Sequence, residues 1–409
     1  YVWQDPKPDG SPPNNWQAVF GGPSWTWDAR RQQYYMHNFL PSQPQLNVHH
    51  PAVQDALLKA ARFWLDRGVD GFRLDALNFA MFDPDFRDNP PHDPRGRVVS
   101  RPFDLQQHVY NQSHRDIPKF LQRIRSLTDE YGAIFSVAEV PGPEPLEEMR
   151  AYTEGDTHLN SAYSFDFLYA TGLTPERVRR SQQNWMGASG EGWPSWAFSN
   201  HDAPRCVSRW YEGNDRPRYT RLTNALLMCL RGNPILYQGE ELVLPQAEVP
   251  FESLQDPEAI ANWPHTLGRD GSRTPMPWNQ GSEGVGFSTG KPWLPLGADH
   301  HMNAVDIQEA DEHSVLSFTR KLIEVRNTQS ALRLGSIEFL YSDDSLLLLK
   351  RTYQHEQILC LFNLGRDEKP VPDLYRNTGR VMLVSGYGAA TEGRVPPYSV
   401  RITIVEGVK

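Results

Sequence analysis

Gly68-Val69-Asp70-Gly71-Phe72-Arg73-Leu74-Asp75-Ala76-Leu77-Asn78 reads as a short buried strand that ends on a charged pair. Val69, Gly71, Phe72 and Leu74 suit a barrel interior or its helix-facing side. Arg73 and Asp75 are two residues apart, so in a strand both side chains point the same way. An Arg beside a carboxylate holds it ionised and aims it, which a nucleophile requires. A structural Arg–Asp pair at a strand end accounts for this stretch equally well when it is taken alone.

The neighbouring segments repeat the pattern. Pro51 to Arg67 is helical, with Val53, Leu57, Ala61, Trp64 and Leu65 on one face. After the opening strand comes a polar, Pro-rich excursion, Asp83 to Arg101, long enough for a functional loop. Asp116 is placed to cap a helix carrying Ile117, Phe120, Leu121, Ile124 and Leu127, and Gly132 to stop it. The strand Ala133 to Ala138 then ends on Glu139. Leu146–Tyr152 is helical, Ala162–Phe167 is a strand and Thr174–Met186 is helical. Trp196–Ser199 is a strand ending on Asn200-His201-Asp202. Tyr219–Leu230 is helical, and Ile235–Tyr237 is a strand before Gly239-Glu240-Glu241.

Strand and helix alternate five times, which argues for an α/β fold with a parallel sheet and helices outside. In a barrel of this kind the chemistry sits at the C-terminal ends of the strands. Asp75, Glu139 and Asp202 all fall at such ends. Three acids on one rim repel one another, so a purely structural account of them is strained.

The flanks read differently. Residues 1–47 are rich in Pro, Gly, Asn and Trp, with short strands at Trp25–Asp28 and Gln33–His37, and form a small loop-rich subdomain. Residues 48–330 are the catalytic barrel portion, closed by a helix near Ser314–Arg326. Residues 331–409 alternate in short strands: Ile337–Leu340, Leu346–Lys350, Gln357–Asn363, Val381–Val384 and Val400–Val405. They are expected to form a C-terminal antiparallel β-sandwich domain.

Composition sets limits. The 409 residues are 39% hydrophobic and 22% charged, ordinary for a soluble globular protein. A net charge of -9 argues against nucleic-acid and anionic-membrane partners. No apolar run is long enough to span a bilayer. Three cysteines, Cys206, Cys229 and Cys360, suggest no disulfide framework, which favours a cytoplasmic setting.

The chain resembles glycoside hydrolase family 13, the α-amylase family, in its bacterial α-glucosidase and oligo-1,6-glucosidase branch. Gly71-Phe72-Arg73-Leu74-Asp75 is similar to the nucleophile motif of that family, and Ala138-Glu139-Val140 to its acid/base motif. Phe198-Ser199-Asn200-His201-Asp202 resembles the third carboxylate motif. Gln43-Pro44-Gln45-Leu46-Asn47 resembles the branch marker, with Gln45 where Asp is commoner. Gly232 to Glu241 resembles the last barrel strand and loop, and Arg269 to Trp278 is again similar to the branch.

The resemblance implies a (β/α)8 TIM barrel plus a small C-terminal antiparallel β domain. It implies Asp75 as nucleophile, Glu139 as acid/base and Asp202 as transition-state stabiliser. Arg73, His201, Arg269, Phe20, Phe39, Phe165 and Ala76 would be substrate-binding, with Arg269 on the entry side. The small Ala76 implies preference for α-1,4 over α-1,6 linkages, because a Val there accompanies α-1,6 preference in the branch.

Three strand–helix units, carrying an Asp and a His that grip glucose, should precede Tyr1 and complete the barrel. No cofactor is required for the chemistry. A structural Ca or Mg loop would lie in that N-terminal segment, which leaves metal binding open. The expected activity is a retaining, exo-acting α-glucosidase for short substrates such as maltose, with transfer to acceptors as an extension. The alternatives are a sucrose isomerase or α-1,6-specific relative and, in another class, a non-catalytic barrel serving as a binding subunit. The last would have lost the carboxylates, and all three are present.

Overall fold

A computed structural model describes residues 1–94, 99, 101–132, 134–142, 144–186, 192–266, 268–375, 379–386 and 393–405. Ala133, Arg95–Val98 and Ser100, which belong to the strand and loop read from sequence, lie outside the described residues. The chain divides into two compact units, Tyr1–Phe165 with Gln255–Gly268, and Asp166–Leu254 with Arg269–Lys409.

In the first unit, Trp3–Gln4, Gln33–Met36 and Trp25–Asp28 form a small antiparallel sheet with the Gln33–Met36 strand in the middle. Val2, Trp16, Trp25, Met36 and Phe82 make its core. The two indoles need polar partners when buried. Trp16 Nε1 donates to the Arg87 carbonyl at 2.8 Å and Trp25 Nε1 to Asn14 Oδ1 at 2.7 Å.

Three parallel strands follow: Gly71–Leu74, Phe135–Glu139 and Ser161–Ser164. The first two approach so closely that a Cβ on Gly71 would lie 1.9 Å from the Phe135 carbonyl oxygen, so glycine is required there. The helix Pro51–Leu65 precedes them, and Ile117–Asp129 and Pro145–Thr153 lie between them. Pro51 begins its helix, where a missing N–H costs nothing, and His50 caps it by accepting from the Ala52 N–H at 3.2 Å.

Three expectations need correction here. The opening strand spans only Gly71–Leu74, and Phe72 and Leu74 are half-buried rather than interior. Among the described residues of its own unit this strand has a partner on one side alone. The apolar face read on the Pro51–Leu65 helix buries only Leu65, and Trp64 is 53% exposed. Asp116 occupies the N-cap position of its helix, but its side chain makes no cap bond. It pairs instead with Lys119 at 2.6 Å, since one carboxylate oxygen serves a full cation better than an amide.

In the second unit Ser195–Ala197 pairs in parallel with Asn233–Ile235. The described residues therefore hold five parallel strands, matching the five units read from sequence and falling short of the eight that close a barrel. The C-terminal part is a five-stranded antiparallel sheet of Ser336–Ser342, Leu346–Tyr353, Glu356–Asn363, Arg380–Ser385 and Ser399–Ile404. A two-residue ribbon, Lys369–Pro370 with Arg394–Val395, was not legible in the sequence. Leu346, Leu348, Leu359, Leu361, Tyr375 and Val395 pack into one apolar cluster.

Two buried arginines hold this unit together without a carboxylate. The helix Arg216–Cys229 ends with carbonyls that have no helical partner. Arg351, fully buried, donates Nη1 to the Cys229 and Leu230 carbonyls at 2.8 and 2.9 Å. Its Nε and Nη2 reach the Ser336 and Gly335 carbonyls at 3.0 and 2.9 Å. Arg326 donates to the Met228 carbonyl and, at 2.7 Å, to that of Gly232. Arg351→Met keeps the volume but strands four carbonyls. It is expected to lower unfolding stability by about 3–5 kcal/mol in urea titration. A loss under about 1 kcal/mol would show that water replaces the guanidinium.

All three cysteines are buried and none is disulfide-bonded. Among the described residues no helix is long and apolar enough to cross a membrane.

Candidate active site

Strand register builds the acid cluster of the first unit. Leu74 lies opposite Ala138, so the next residue, Asp75, comes level with Glu139. Glu139 in turn lies opposite Tyr163. Three adjacent strand ends thus set Asp75, Glu139 and Tyr163 in a row, with neighbouring strands about 4.8 Å apart. Arg73 shares a face with Asp75 because the side-chain period is two.

The charges then interlock. Arg73 Nη1 pairs with Asp75 Oδ1 and Arg73 Nη2 with Glu139 Oε2 at 2.6 Å, so the guanidinium clamps both acids rather than one. Nη2 also donates to the Tyr163 hydroxyl at 2.8 Å. Burial pushes the Glu139 carboxyl up to about 7, with a hydrogen bond to Asp75 adding to the rise; Tyr163 and Arg73 oppose it. A hydrogen bond between two carboxyl groups needs a proton on one of them, and Glu139 is the buried member. Asp75, by contrast, keeps 73% of its side chain exposed.

The chain leaves Asp75 through a strained turn. Ala76 has φ 40° and ψ 45°, the left-handed region that a β-branched residue avoids. Its N–H donates to Glu139 Oε2 at 3.2 Å, so the backbone after one acid helps hold the other. The short helical turn Leu77–Phe79 follows. Gln45 Nε2 donates to the Phe79 carbonyl at 3.0 Å while Gln45 Oε1 accepts from Asn38 at 2.9 Å. An Asp at position 45 would have no N–H for that carbonyl.

Two of the expected aromatic walls, Phe20 and Phe39, gather on the same turn. Phe20 and Phe39 have ring centroids 5.5 Å apart, and Phe39 and Phe79 5.3 Å. Phe165 stacks on Tyr163 at 5.6 Å.

The other unit carries its own cluster, around Asp202. Beyond the Ser195–Ala197 strand, Ser199 is buried and donates to Glu240 Oε1 at 2.6 Å. The Cys206 N–H donates to Ser199 Oγ at 2.8 Å. Asn200 Oδ1 accepts from the N–H groups of Asp202 and Ala203 at 2.9 and 2.7 Å, a side-chain-made turn that presents Asp202. Arg273 Nη2 holds Asp202 Oδ1 at 2.6 Å, and Arg269 Nη1 lies 3.3 Å from the same oxygen. His201 Nε2 lies 3.3 Å from Asp202 Oδ2. Arg269, expected on the entry side, is therefore found as an ion-pair partner of Asp202. Burial raises the Glu240 carboxyl, which serves as scaffold behind the Asp202 loop.

Two residues escaped the sequence reading. Tyr163 carries no motif, and only the register shows it beside Glu139. Arg273 stood in the quoted stretch Arg269 to Trp278, four residues after Arg269, but a spacing of four in an irregular loop names no partner.

Known proteins carry similar sequences and folds. Residues 1–335 match the alpha amylase catalytic domain family. A probable alpha-glucosidase of Rhizobium meliloti (strain 1021) is 46% identical over 399 residues, covering 96% of this chain and 72% of the relative. An oligo-1,6-glucosidase of Parageobacillus thermoglucosidasius is 29% identical over 442 residues, covering 98% and 77%. The crystal structure of an alpha-glucosyl transfer enzyme, XgtA, superposes with a TM-score of 0.89 at 41% identity, covering 99% of this chain and 77% of that one. A trehalulose synthase, MutB, reaches 0.87 at 26% identity, covering 99% and 78%. Motifs, parallel strand ends and whole-length similarity agree, and the chain belongs to the α-amylase family of glycoside hydrolases.

Proposed function

We propose that this enzyme is a retaining, exo-acting α-glucosidase that releases terminal glucose from short substrates such as maltose. One observation carries the reading: Asp75 and Glu139 sit in hydrogen-bond contact under a single guanidinium, and burial keeps a proton on Glu139 near pH 7. Inverting enzymes hold their acids about 6.5–9.5 Å apart to admit a water, and a pair in contact leaves no such space.

In this reading Asp75 attacks the anomeric carbon while Glu139 gives its proton to the departing glycosidic oxygen. The first alcohol leaves and glucose stays esterified to Asp75. Glu139, now a carboxylate, takes a proton from water as that water attacks the anomeric carbon and releases Asp75. Asp202 and His201 would hold sugar hydroxyls of the distorted ring, with Arg269 on the entry side. Phe20, Phe39 and Phe165 wall the glucose, and Arg73 keeps both acids aimed. An acceptor alcohol in place of water gives transfer, the activity named for XgtA.

Linkage preference follows from Ala76. A methyl side chain leaves space for the second sugar of an α-1,4 substrate, and the left-handed backbone disfavours Val. One or two methyl groups discriminate by about 1–3 kcal/mol, so kcat/KM on maltose should exceed that on isomaltose by about 10- to 200-fold. Equal or better turnover of isomaltose would overturn this assignment. The similarity to MutB favours a second reading, sucrose isomerisation, in which released fructose attacks the same glucosyl-enzyme. Chromatography of the products from maltose, isomaltose and sucrose separates the two, because an isomerase returns a disaccharide from sucrose and little free glucose.

A further inference from the structure

The first unit also carries a cluster that the glycosidase reading does not use. His49, His114 and Asp116 each offer one ligand atom, and these atoms lie within 4.8 Å of one another. All three residues are half-buried. We propose that His49, His114 and Asp116 form a binding site for a divalent transition metal of the zinc class, which staples the loops around the nucleophile turn.

Hydrogen bonding shows which nitrogens can serve. His49 Nε2 lies 2.7 Å from the Phe82 carbonyl oxygen, and a carbonyl can only accept, so Nε2 carries the hydrogen. Nδ1 then carries the lone pair. A ring N–H anchored on a backbone carbonyl is the usual support of a metal-binding imidazole, because it fixes both tautomer and ring plane. His114 Nδ1 accepts from the Asp116 N–H at 3.2 Å, so its lone pair is on Nδ1 as well, and a metal there would take the place of that hydrogen bond.

Asp116 splits its two oxygens. Oδ1 takes Lys119 at 2.6 Å, while Oδ2 lies 3.7 Å from His114 Nδ1. Ligands about 2.0–2.1 Å from a tetrahedral zinc are about 3.3–3.4 Å from each other, so this edge needs only a small closure. The two imidazoles meet edge-on, with centroids 4.8 Å apart.

Two imidazoles and one carboxylate suit zinc, cobalt or nickel rather than calcium or magnesium, which take oxygen shells. Three protein ligands leave one position for water. The placement suggests a structural role. His49 precedes the N-cap of the Pro51–Leu65 helix, Asp116 stands at the N-cap of the Ile117–Asp129 helix, and Phe82 lies in the loop after the nucleophile turn. The Ser113 N–H donates to the Asn78 carbonyl at 2.7 Å, tying the His114 segment to that turn.

The test uses the 409-residue chain stripped with chelator, with cobalt(II) and zinc(II) as probes. Wild type is expected to bind one cobalt with the strong visible absorption of a four-coordinate site, and to gain thermal stability with zinc. His49→Gln and His114→Gln should each weaken zinc at least tenfold and abolish the thermal gain. Asp116→Asn, which keeps a polar residue at the N-cap position, should weaken it less. If the histidine variants fold poorly, NMR of wild type decides: cobalt must shift or broaden the imidazole signals of His49 and His114 first. Equal affinity in wild type and variants, or no change at those two imidazoles, overturns the proposal.

Discussion

Asp75→Ala is expected to lower kcat/KM on maltose by at least about 10⁴-fold, because the covalent ester forms on its carboxylate. The fold should survive. The side chain is 73% exposed, and its ion pair with Arg73 is of the kind worth about 0–1 kcal/mol. Thermal unfolding should therefore move by no more than a few degrees while activity vanishes. A second readout separates a nucleophile from a mere neighbour. Asp75→Gly in the presence of azide should regain turnover and yield β-glucosyl azide, because the anion attacks the face that Asp75 has vacated. Near-normal activity of Asp75→Ala would remove the nucleophile assignment, and with it the retaining mechanism.

Glu139→Gln should cost about 10²–10⁴-fold on maltose, the usual worth of a positioned general acid. Its signature is in the pH profile. The first step needs Glu139 protonated. Burial and the Asp75 hydrogen bond raise its carboxyl to about 7, so it carries the proton below that pH and loses it above. The kcat/KM of wild type should be level below about 7 on this limb and fall tenfold per pH unit beyond it. Gln cannot titrate, so the limb should disappear in the variant. Aryl glucosides with acidic leaving groups need little protonation, and for them the loss in kcat/KM should be small. Tyr163→Phe should keep the limb and move it to higher pH, because the Tyr163 hydroxyl favours the ionised carboxyl. An unmoved limb in both variants would place the titrating group elsewhere.

Sequence by itself determined the elements whose signal is local. Pro51 fixes a helix start, Gly132 a helix stop with φ +84°, and the C-terminal strands follow side-chain alternation within two or three residues of where they form. The three acids were legible because each stands at or just beyond the end of an apolar run, where a parallel strand delivers its residues to the rim. The interactions around each of them were not legible. Which residue lies beside Glu139 depends on strand register, a relation between segments more than 20 positions apart, so Tyr163 stayed hidden. The burial that lifts the Glu139 carboxyl is a property of its surroundings, as is the change of Arg269 and Arg273 into partners of Asp202. Burial also overruled periodicity on the Pro51–Leu65 helix, since an apolar stripe states what a face can bury and only tertiary packing decides whether anything covers it.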